Sequence, residues 1–244
     1  RNQLKLVRDI EGELIKLPAY HWGDRKKLKK HRRRIEQLEV EIKERETLIH
    51  HRANRHWETF LSLLKILQHF GCLEEFEATD IGKTVGALRG DNELWLGLVL
   101  MSGYLDNLKP NSLAAVLQAI SIEVNRPNLW TGFNASVESI EALKDISGIS
   151  RELKRSQERF NLNIPIYSES ELMGLVEKWC SGISWNDLIE NTSLDEGDVV
   201  RIMRRTIDLL AQVPHCIAIS SQLKRNASKA LKAINRFPVS ESND

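Results

Sequence analysis

The chain has 244 residues, of which 41% are hydrophobic and 28% charged, and its formal net charge is +1. This composition is ordinary for a soluble globular protein with a buried core, and the balanced total charge gives no indication of a nucleic-acid partner. Three widely spaced cysteines without a C-x-x-C motif argue against a disulfide framework or a zinc module, and they favour a reducing, intracellular compartment.

The residue types predict a mainly α-helical protein. Helix-forming residues dominate, and there are only 6 prolines. The most apolar run, LWLGLVLMSGYL at 94–105, is too short to span a bilayer, so we expect a buried helix there and no membrane partner.

The N-terminal part of the chain predicts a lead-in followed by a long charged helix. Residues 1–20 show little periodicity. Over 24–52, apolar residues half-fill a coiled-coil seam. These seam residues are Leu28, Ile35, Leu38, Ile42 and Ile49. Polar His31 and Arg45 occupy the other seam positions, which favours a helical hairpin or a stalk lying on another element over a free-standing dimer zipper.

The middle of the chain predicts helices joined by short segments. An amphipathic helix over 56–70 should stop at Gly71. The segment 72–90 shows no clear helical pattern and is compatible with a short β-hairpin. Further helices are predicted at 92–102, 112–124 (capped by Asn111 or Ser112) and 136–160 (broken near Gly148), with a loop at 126–134.

The last third predicts a compact helical bundle with short turns, because three S-x-x-[DE] capping signals fall within about thirty residues. The pairs are Ser168 with Glu171, Ser184 with Asp187, and Ser193 with Glu196. Gly182 and Pro214 should end the first and last of these helices. A final helix is predicted over 218–236, and residues 239–244 should form a frayed, disordered tail.

The tetrapeptide IGKT at 81–84 has the end of a phosphate-binding loop without its beginning. That motif needs a glycine five residues before its Gly-Lys pair, where this chain has Glu77, and a carboxylate there would repel phosphate. We therefore expect Gly82 to lie in a turn between two short strands rather than at a nucleotide site.

No motif in the chain identifies a catalytic residue or a metal site. His50, His51 and His56 lack the i, i+4 spacing of a helical metal site, and no cysteine lies near them, so we expect surface histidines. No nucleophile–base motif such as G-x-S-x-G is present.

A strongly basic run lies at the start of the long helix. Its members are Arg25, Lys26, Lys27, Lys29, Lys30, Arg32, Arg33 and Arg34. Such a density of cations attracts phosphates. It is equally the solvated half of a charged helix whose glutamates follow at 36–46, and the sequence leaves both interpretations open.

The stretch SLDEGDVVRIMRR at 193–205 begins a helix with a polar stripe. The stripe consists of Asp198, Arg201, Arg205, Asp208 and Gln212, with Arg204 beside it. The opposite face should be core, comprising Val199, Ile202, Met203, Leu209, Leu210 and Val213. Spacing alone favours an exposed face with the ion pairs Asp198–Arg201 and Arg204–Asp208. The alternative is contact with a nucleic-acid strand through guanidinium groups.

Two segments resemble a known family. WCSGISWNDLIENTSLDEGDVVRIMRRTIDLLAQV at 179–213 resembles the signature of the DSHCT domain, the C-terminal helical domain of DExH-box RNA helicases related to the superkiller and exosome-associated helicases. ATDIGKTVGALRGDNELWLGLVLMSGYLDNLKPNSLAAVLQAI at 78–120 resembles the earlier half of that domain. The resemblance covers about 55–238 and is most specific at W-x-x-G-x-x-W and EGDVVR-x-x-RR.

The resemblance implies an accessory domain of an ATP-dependent RNA helicase. Such a domain packs on the motor domains, which bind ATP and Mg, and it contacts single-stranded RNA during unwinding or RNA processing without catalysis of its own. By this match, Arg201 and Arg205 are the first candidates for RNA contact, followed by Asp198 and Arg204. Family members usually continue with Arg-Leu-Glu-Glu, whereas Thr206, Ile207 and Asp208 follow here, and this departure bears on the role of Asp208.

The resemblance also implies a domain division and a cellular setting. Residues 1–54 would be a stalk left from a reduced arch insertion, residues 55–238 the DSHCT-like domain, and 239–244 the tail. A reduced arch suits a cyanobacterial cytoplasm or a chloroplast stroma. RNA-processing proteins are further expected partners. The alternative function is a helical protein–protein interaction module without RNA binding, suggested by the half-filled seam and the charged stalk.

Overall fold

The computed structural model describes residues 2–21, 23–123 and 128–240, without the side chains of residues 2, 25, 51 and 52. The protein is mainly α-helical, as predicted, and carries a two-stranded antiparallel hairpin. It divides into two compact units, Arg1–Glu58 and Thr59–Asp244. The functional division predicted between residues 54 and 55 stays a prediction. Within the described residues, no helix is both long and apolar enough to cross a membrane.

The N-terminal unit is more helical than its sequence suggested. Helix α1 (Asn2–Lys16) occupies the region predicted as an irregular lead-in, and a 3-10 turn (Pro18–His21) follows it. Helix α2 (Arg25–His69) joins the two helices predicted at 24–52 and 56–70 and continues into the second unit. The predicted interruption is wrong because residues 53–55 contain neither proline nor glycine, so nothing stops the backbone hydrogen bonding.

A short hairpin and a helix follow α2. Strands β1 (Leu73–Glu74) and β2 (Glu77–Ala78) form the predicted hairpin, and α3 (Asp80–Ala87) follows at once. The predicted turn between strands at Gly82 is wrong, because Thr79 caps α3 by accepting a hydrogen bond from the Gly82 amide at 3.1 Å.

The IGKT tetrapeptide therefore lies in the first turns of α3 and makes helix contacts. Lys83 pairs with Asp80 at 3.0 Å on the surface, and the buried Thr84 hydroxyl accepts from the Ala218 amide at 2.9 Å. Gly82 lies directly against the Cys72 carbonyl, where an added Cβ would be 2.0 Å from that oxygen. This glycine is required for close packing rather than for phosphate binding.

The core of the second unit surrounds one helix that is buried along most of its length. In chain order the helices are α4 (Glu93–Met101), α5 (Pro110–Ser121), α6 (Val137–Asp145), α7 (Ser147–Arg159), α8 (Met173–Cys180), α9 (Trp185–Glu190), α10 (Glu196–Gln212) and α11 (Ser221–Ile234). Every residue of α5 from Ser112 to Ile120 is buried. Helices α6, α8, α10 and α11 pack around it, with α10 and α11 also touching each other.

These helices match the predicted ones with small differences at their ends. Helix α5 begins at Pro110, whose fixed φ and missing N–H suit the first helical position, and no side chain caps it, so the predicted Asn111 or Ser112 cap is wrong. The break in 136–160 falls at Ile146, and Gly148 lies inside α7. Residue 124 and the first two residues of the predicted loop at 126–134 lie outside the described residues.

Two of the three predicted capping signals fail. Ser184 caps α9 by accepting from the Asp187 amide at 3.2 Å, as predicted. Ser168 does not begin α8, which starts at Met173. Residues 162–170 instead run as an irregular segment held by other elements: the Ala119 carbonyl accepts from the Glu169 amide at 3.1 Å, and the Tyr167 carbonyl accepts from the Trp95 indole at 3.1 Å.

The third signal fails through a similar long-range contact. Asp195 rather than Ser193 caps α10, accepting from the Asp198 amide at 2.8 Å. The Ser193 hydroxyl instead accepts from the Trp130 amide at 2.9 Å.

The W-x-x-G-x-x-W motif forms a structural clamp. Trp179 is buried, and its indole donates to the Ile234 carbonyl at 2.8 Å. The Arg236 guanidinium lies 3.5 Å from the Trp179 ring centroid and donates to the carbonyls of Trp179 and Ile183 at 2.6 and 2.8 Å. Trp185 packs edge-on against Trp179. The motif thus fastens α8 and α9 to the end of α11 through cation–π and hydrogen-bond contacts.

The C-terminal residues are more ordered than predicted. Val239, the first residue of the predicted tail, is buried, and the Ser240 amide donates to the Arg236 carbonyl at 3.2 Å. The rest of the predicted tail, 241–244, lies outside the described residues.

The packing of α3 makes a prediction about two of its glycines. Gly82→Ala should lower the free energy of unfolding by about 3 kcal/mol or more, because the new methyl would collide with backbone. Gly86→Ala is the matched control: a Cβ there meets nothing within 4 Å, so this change should stabilise the protein by about 0.5–1 kcal/mol. Urea denaturation of both variants measures the difference, and a Gly82→Ala protein of unchanged stability would contradict the packing described.

Candidate nucleic-acid interface

Helix α10 presents one face to the core and one to solvent, as its periodicity predicts. All six predicted core residues of its inner face, Val199 to Val213, are buried. Thr206 joins them, with its hydroxyl donating to the Ile202 carbonyl at 2.9 Å. Asp208 keeps a carboxylate on the exposed face. Thr206 therefore belongs to the core, and Asp208 belongs to the charged outer face.

Arg201 lies on the exposed face of α10 and forms an ion pair within its own helix. Its guanidinium pairs with Asp198 at 2.8 Å, as predicted, with 69% of the Arg201 side chain exposed against 11% of Asp198. Asp198 lies in the first turn, where the helix dipole favours a carboxylate. The buried carboxylate therefore orients Arg201, and the guanidinium is the group that faces solvent.

Arg205, one turn further, contacts another element. Its guanidinium lies 3.4 Å from the Asp91 carboxylate in the loop before α4, and 48% of its side chain is exposed. Ion pairs this exposed contribute little stability. A phosphate could replace Asp91 as the partner of Arg205 at small cost.

A polar cleft of about 340 Å³ runs beside Arg205. Its walls include Arg89, Asp91, Ser121, Asp208 and Gln212, together with apolar Leu96 and Leu209. The Gln212 side chain accepts from the Arg89 amide at 2.6 Å, which ties the end of α10 to the loop after α3. The cleft therefore combines cations, carboxylates and an amide within one surface depression.

Tyr167 adds an aromatic ring to this region. Partial burial raises the pKa of its hydroxyl, and the neighbouring Asp91 raises it further by charge and by a hydrogen bond, while Arg205 acts in the opposite direction. Tyr167, Asp91 and Arg205 thus interact electrostatically, although they come from three separate segments.

Arg204 points away from this cleft region toward the C-terminus. Its Nε donates to the carbonyl of the buried Val239 at 3.0 Å. Spacing predicted a partner for Arg204 on its own helix and could not reveal this contact, since Val239 lies 35 residues away. Arg204 therefore has a structural role in holding the C-terminal segment.

The basic run belongs to the other compact unit. The residues Lys26, Lys27, Lys29, Lys30, Arg32, Arg33 and Arg34 are all exposed on α2, and the Arg25 side chain lies outside the described part. Two of them pair along the helix, Arg32 with Glu36 at 3.2 Å and Arg34 with Glu41 at 4.0 Å. Both predicted interpretations, a solvated face and a phosphate-binding face, remain compatible with this exposure.

Other sequence features carry less weight at this site. Gly197 is exposed, and a Cβ there would meet only Asp195 at 3.6 Å, so no described neighbour requires a glycine. His50 and His56 are exposed on α2, and the His51 side chain lies outside the described part. Among the described residues, no group of three or more His, Cys, Asp or Glu is arranged to hold a metal ion.

Sequence reasoning missed the residues that surround Arg205. Arg89, Asp91 and Tyr167 lie in loops, where no periodicity marks one face. One sequence feature could have indicated these residues. Within one helical turn of Arg205 the only carboxylate is Asp208, and Arg204 lies equally within reach of it. A second partner for Arg205 from another segment was therefore to be expected.

Comparison with known proteins identifies related sequences. A family model described as the DSHCT (NUC185) domain matches residues 75–242. The chloroplastic DExH-box ATP-dependent RNA helicase DExH15 of Arabidopsis thaliana is 34% identical over 191 residues, which are 76% of this chain and 16% of that protein. The ATP-dependent RNA helicase mtr4 of Schizosaccharomyces pombe is 21% identical over 96% of this chain and 22% of its own length. The probable helicase HelY of Mycobacterium leprae is 24% identical over 69% of this chain and 20% of its own.

The different surroundings of two arginines on α10 predict different effects on stability. Arg204→Ala should lower the free energy of unfolding by about 1 kcal/mol, because it leaves the Val239 carbonyl without its charged donor. Arg205→Ala is the control and should change it by less than about 0.5 kcal/mol, since its ion pair is exposed on both sides. Chemical denaturation compares the two, and equal losses of stability would contradict the structural role of Arg204.

The Tyr167 environment predicts a titration behaviour. Because the folded state favours the neutral hydroxyl, the Tyr167 pKa should lie above its ordinary value. Stability should then fall as pH rises from the unfolded-state pKa of about 10 through the higher folded-state pKa. Asp91→Asn should lower this pKa, whereas Arg205→Ala should raise it. NMR titration of ¹³C-labelled tyrosine, assigned with Tyr167→Phe, checks both shifts. If the Tyr167 pKa is unchanged by both substitutions, the three side chains do not interact.

Proposed function

Because this chain belongs to the DSHCT (NUC185) domain family, we propose that it is the C-terminal accessory domain of an ATP-dependent DExH-box RNA helicase. The chain spans about a fifth or less of the helicases it matches, so the remaining length would supply the motor domains. ATP and Mg would bind those motor domains, on which this domain packs, and the described residues here would take no part in hydrolysis.

The function of the domain in this proposal is to contact single-stranded RNA through the outer face of α10. The observation that carries it is the pair of exposed guanidinium groups of Arg201 and Arg205, four residues and therefore about 6 Å apart along the helix. Guanidinium groups bind phosphates bidentately and stack on bases. Arg201 now pairs with the largely buried Asp198 and Arg205 with the exposed Asp91, and RNA phosphates would bind the guanidinium N–H groups that face solvent.

The neighbouring groups have distinct roles in the proposal. Asp198 orients Arg201 through their ion pair and does not itself touch RNA, because its carboxylate is largely buried. Asp208 and Tyr167 lie beside Arg205, where a carboxylate can accept from a base edge and a half-buried ring can support stacking. Arg204 maintains the local structure through Val239.

Two wider elements of the proposal follow from the relatives and from α2. The exposed basic run at 26–34 would make additional contacts with RNA phosphates. The DExH15 relative of Arabidopsis thaliana is chloroplastic, which favours a chloroplast stroma or a cyanobacterial cytoplasm as the setting. RNA-processing proteins would be the further partners.

RNA binding by the complete helicase tests the α10 interface. Arg201→Ala combined with Arg205→Ala should weaken binding of a single-stranded RNA. It should also reduce the slope of log K against log salt by about 0.7 for each RNA phosphate that the two guanidinium groups neutralise in the wild type. Unwinding should slow in parallel. Fluorescence anisotropy over a salt series measures the slope.

The matched control is Arg225→Ala combined with Lys229→Ala. These residues are also exposed and four positions apart, but they lie on α11, so the control removes the same charge elsewhere. If control and α10 variants lose the same affinity, net charge rather than a specific interface explains the binding. If the α10 variant keeps both its RNA affinity and its unwinding rate, the proposed RNA contact is wrong.

A further inference from the structure

Trp130 is an exposed aromatic side chain that the proposed α10 interface does not include. Its exposed fraction is 53%, and within the described part of the second unit no other tryptophan is this exposed. Leaving a large apolar ring in water forgoes the free energy of burying it. The register and the attachment of the loop that carries Trp130 explain why its ring faces solvent.

The loop that carries Trp130 pairs with the residues immediately before α10. An antiparallel bridge joins Thr131 to Thr192, and the Ser193 amide donates to the Trp130 carbonyl at 3.0 Å. Successive side chains of an extended segment point to opposite faces. Because Thr192 is buried, Thr131 lies on the inner face and its neighbour Trp130 lies on the outer face.

The backbone on both sides of Trp130 is anchored. Leu129 and Phe133 pack against the hydrophobic core, and the Trp130 amide donates to the Ser193 hydroxyl at 2.9 Å. Helix α8 approaches the loop so closely that a Cβ added at Gly174 would collide with the Phe133 carbonyl. The ring is therefore exposed on a fixed backbone, and a pre-organised aromatic side chain loses little conformational entropy when a flat partner stacks on it.

Trp130 lies at the N-terminal end of α10, ahead of Arg201. Ser193, with which it pairs, precedes the N-cap Asp195, and the helix rises about 9 Å from Asp195 to Arg201. Gly197 lies one turn before Arg201 on the same face and is exposed. The exposed face of α10 is therefore bare backbone at the turn that precedes the first guanidinium.

The charges at this end of α10 decide which part of a nucleotide Trp130 can meet. Asp195 and Glu196 are both exposed there, and carboxylates repel phosphates. The guanidinium groups that attract phosphates lie further along the helix, at Arg201 and Arg205. An indole face accepts any base by stacking, since every base has a π face. A base rather than a phosphate is thus the group that fits Trp130.

We propose that Trp130 is a stacking platform for one base of the single-stranded RNA whose phosphates Arg201 and Arg205 bind. This inference rests on the proposed function and adds a contact from a separate segment of the chain. The stacked base holds the strand at the N-terminal end of α10 whatever its sequence. The stacking contact involves no ion pair, so it differs from the arginine contacts in its response to salt.

RNA binding by the complete helicase over a salt series tests the stacking contact. Trp130→Leu keeps an apolar side chain but removes the aromatic face, and it should weaken binding of single-stranded RNA about tenfold at every salt concentration. The slope of log K against log salt should stay unchanged, because no phosphate contact is lost. Fluorescence anisotropy measures both quantities, and circular dichroism confirms that the variant folds.

Two further variants control for the loss of an exposed ring. Trp130→Phe keeps an aromatic face and should retain the affinity to within about threefold. Tyr104→Leu removes a ring of similar exposure, 52%, from the turn after α4, and it should leave both affinity and slope unchanged.

Photochemical cross-linking locates the contact directly. RNA that carries 5-iodouridine reacts on irradiation with aromatic side chains stacked on the modified base. Mass spectrometry of the digested wild-type complex should find the nucleotide attached to Trp130, and Trp130→Leu should abolish this product.

The outcomes separate this inference from the proposed function. If Trp130→Leu binds RNA like the wild type while Arg201→Ala with Arg205→Ala binds weakly and with a reduced slope, the stacking contact is wrong and the α10 interface stands. If the double arginine variant binds like the wild type while Trp130 still cross-links and Trp130→Leu weakens binding, the stacking contact stands and the α10 interface is wrong. A Trp130→Leu variant that loses affinity although the wild type forms no cross-link at Trp130 would also overturn the inference, because the ring would then contact another part of the helicase.

Discussion

The second unit depends on one constraint, the burial of the central nine residues of α5. Every side chain from Ser112 to Ile120 is removed from water, so apolar surface must cover the helix on all sides. Helices α8, α10 and α11 supply that surface, and each must turn its apolar stripe inward to do so. The charged face of α10 is outward for this reason.

Long-range contacts then fix α10 at both ends. Gln212 accepts from the Arg89 backbone near the C-terminal end of the helix, and Arg204 holds the chain near Val239. Near the other end, Ser193 bonds to Trp130 and Asp195 caps the first turn. Helix geometry sets the spacing of Arg201 and Arg205, and these contacts position the helix that carries them within the second unit.

The two charged helices of this protein use their charges differently. On α10, buried or neighbouring carboxylates hold two guanidinium groups at the surface of a rigid unit. On α2, cations and glutamates are segregated along a helix whose described residues from 26 to 50 are exposed. The first arrangement suits the contact with a phosphate chain that we propose, and the second leaves a dense run of cations open to solvent.

Local patterns in the sequence determined the helical fold, the inward face of α10 and the Asp198–Arg201 pair, because residues three and four positions apart on a helix are neighbours wherever the helix lies. The family followed from short motifs, although the structure shows that one of them, around Trp179, acts as a packing clamp. Only the tertiary structure decided that α2 continues through 53–55, that Asp195 caps α10, and that Arg205 meets Asp91 and Tyr167. These outcomes depend on which distant segments pack together, and no periodicity within a single segment encodes that information.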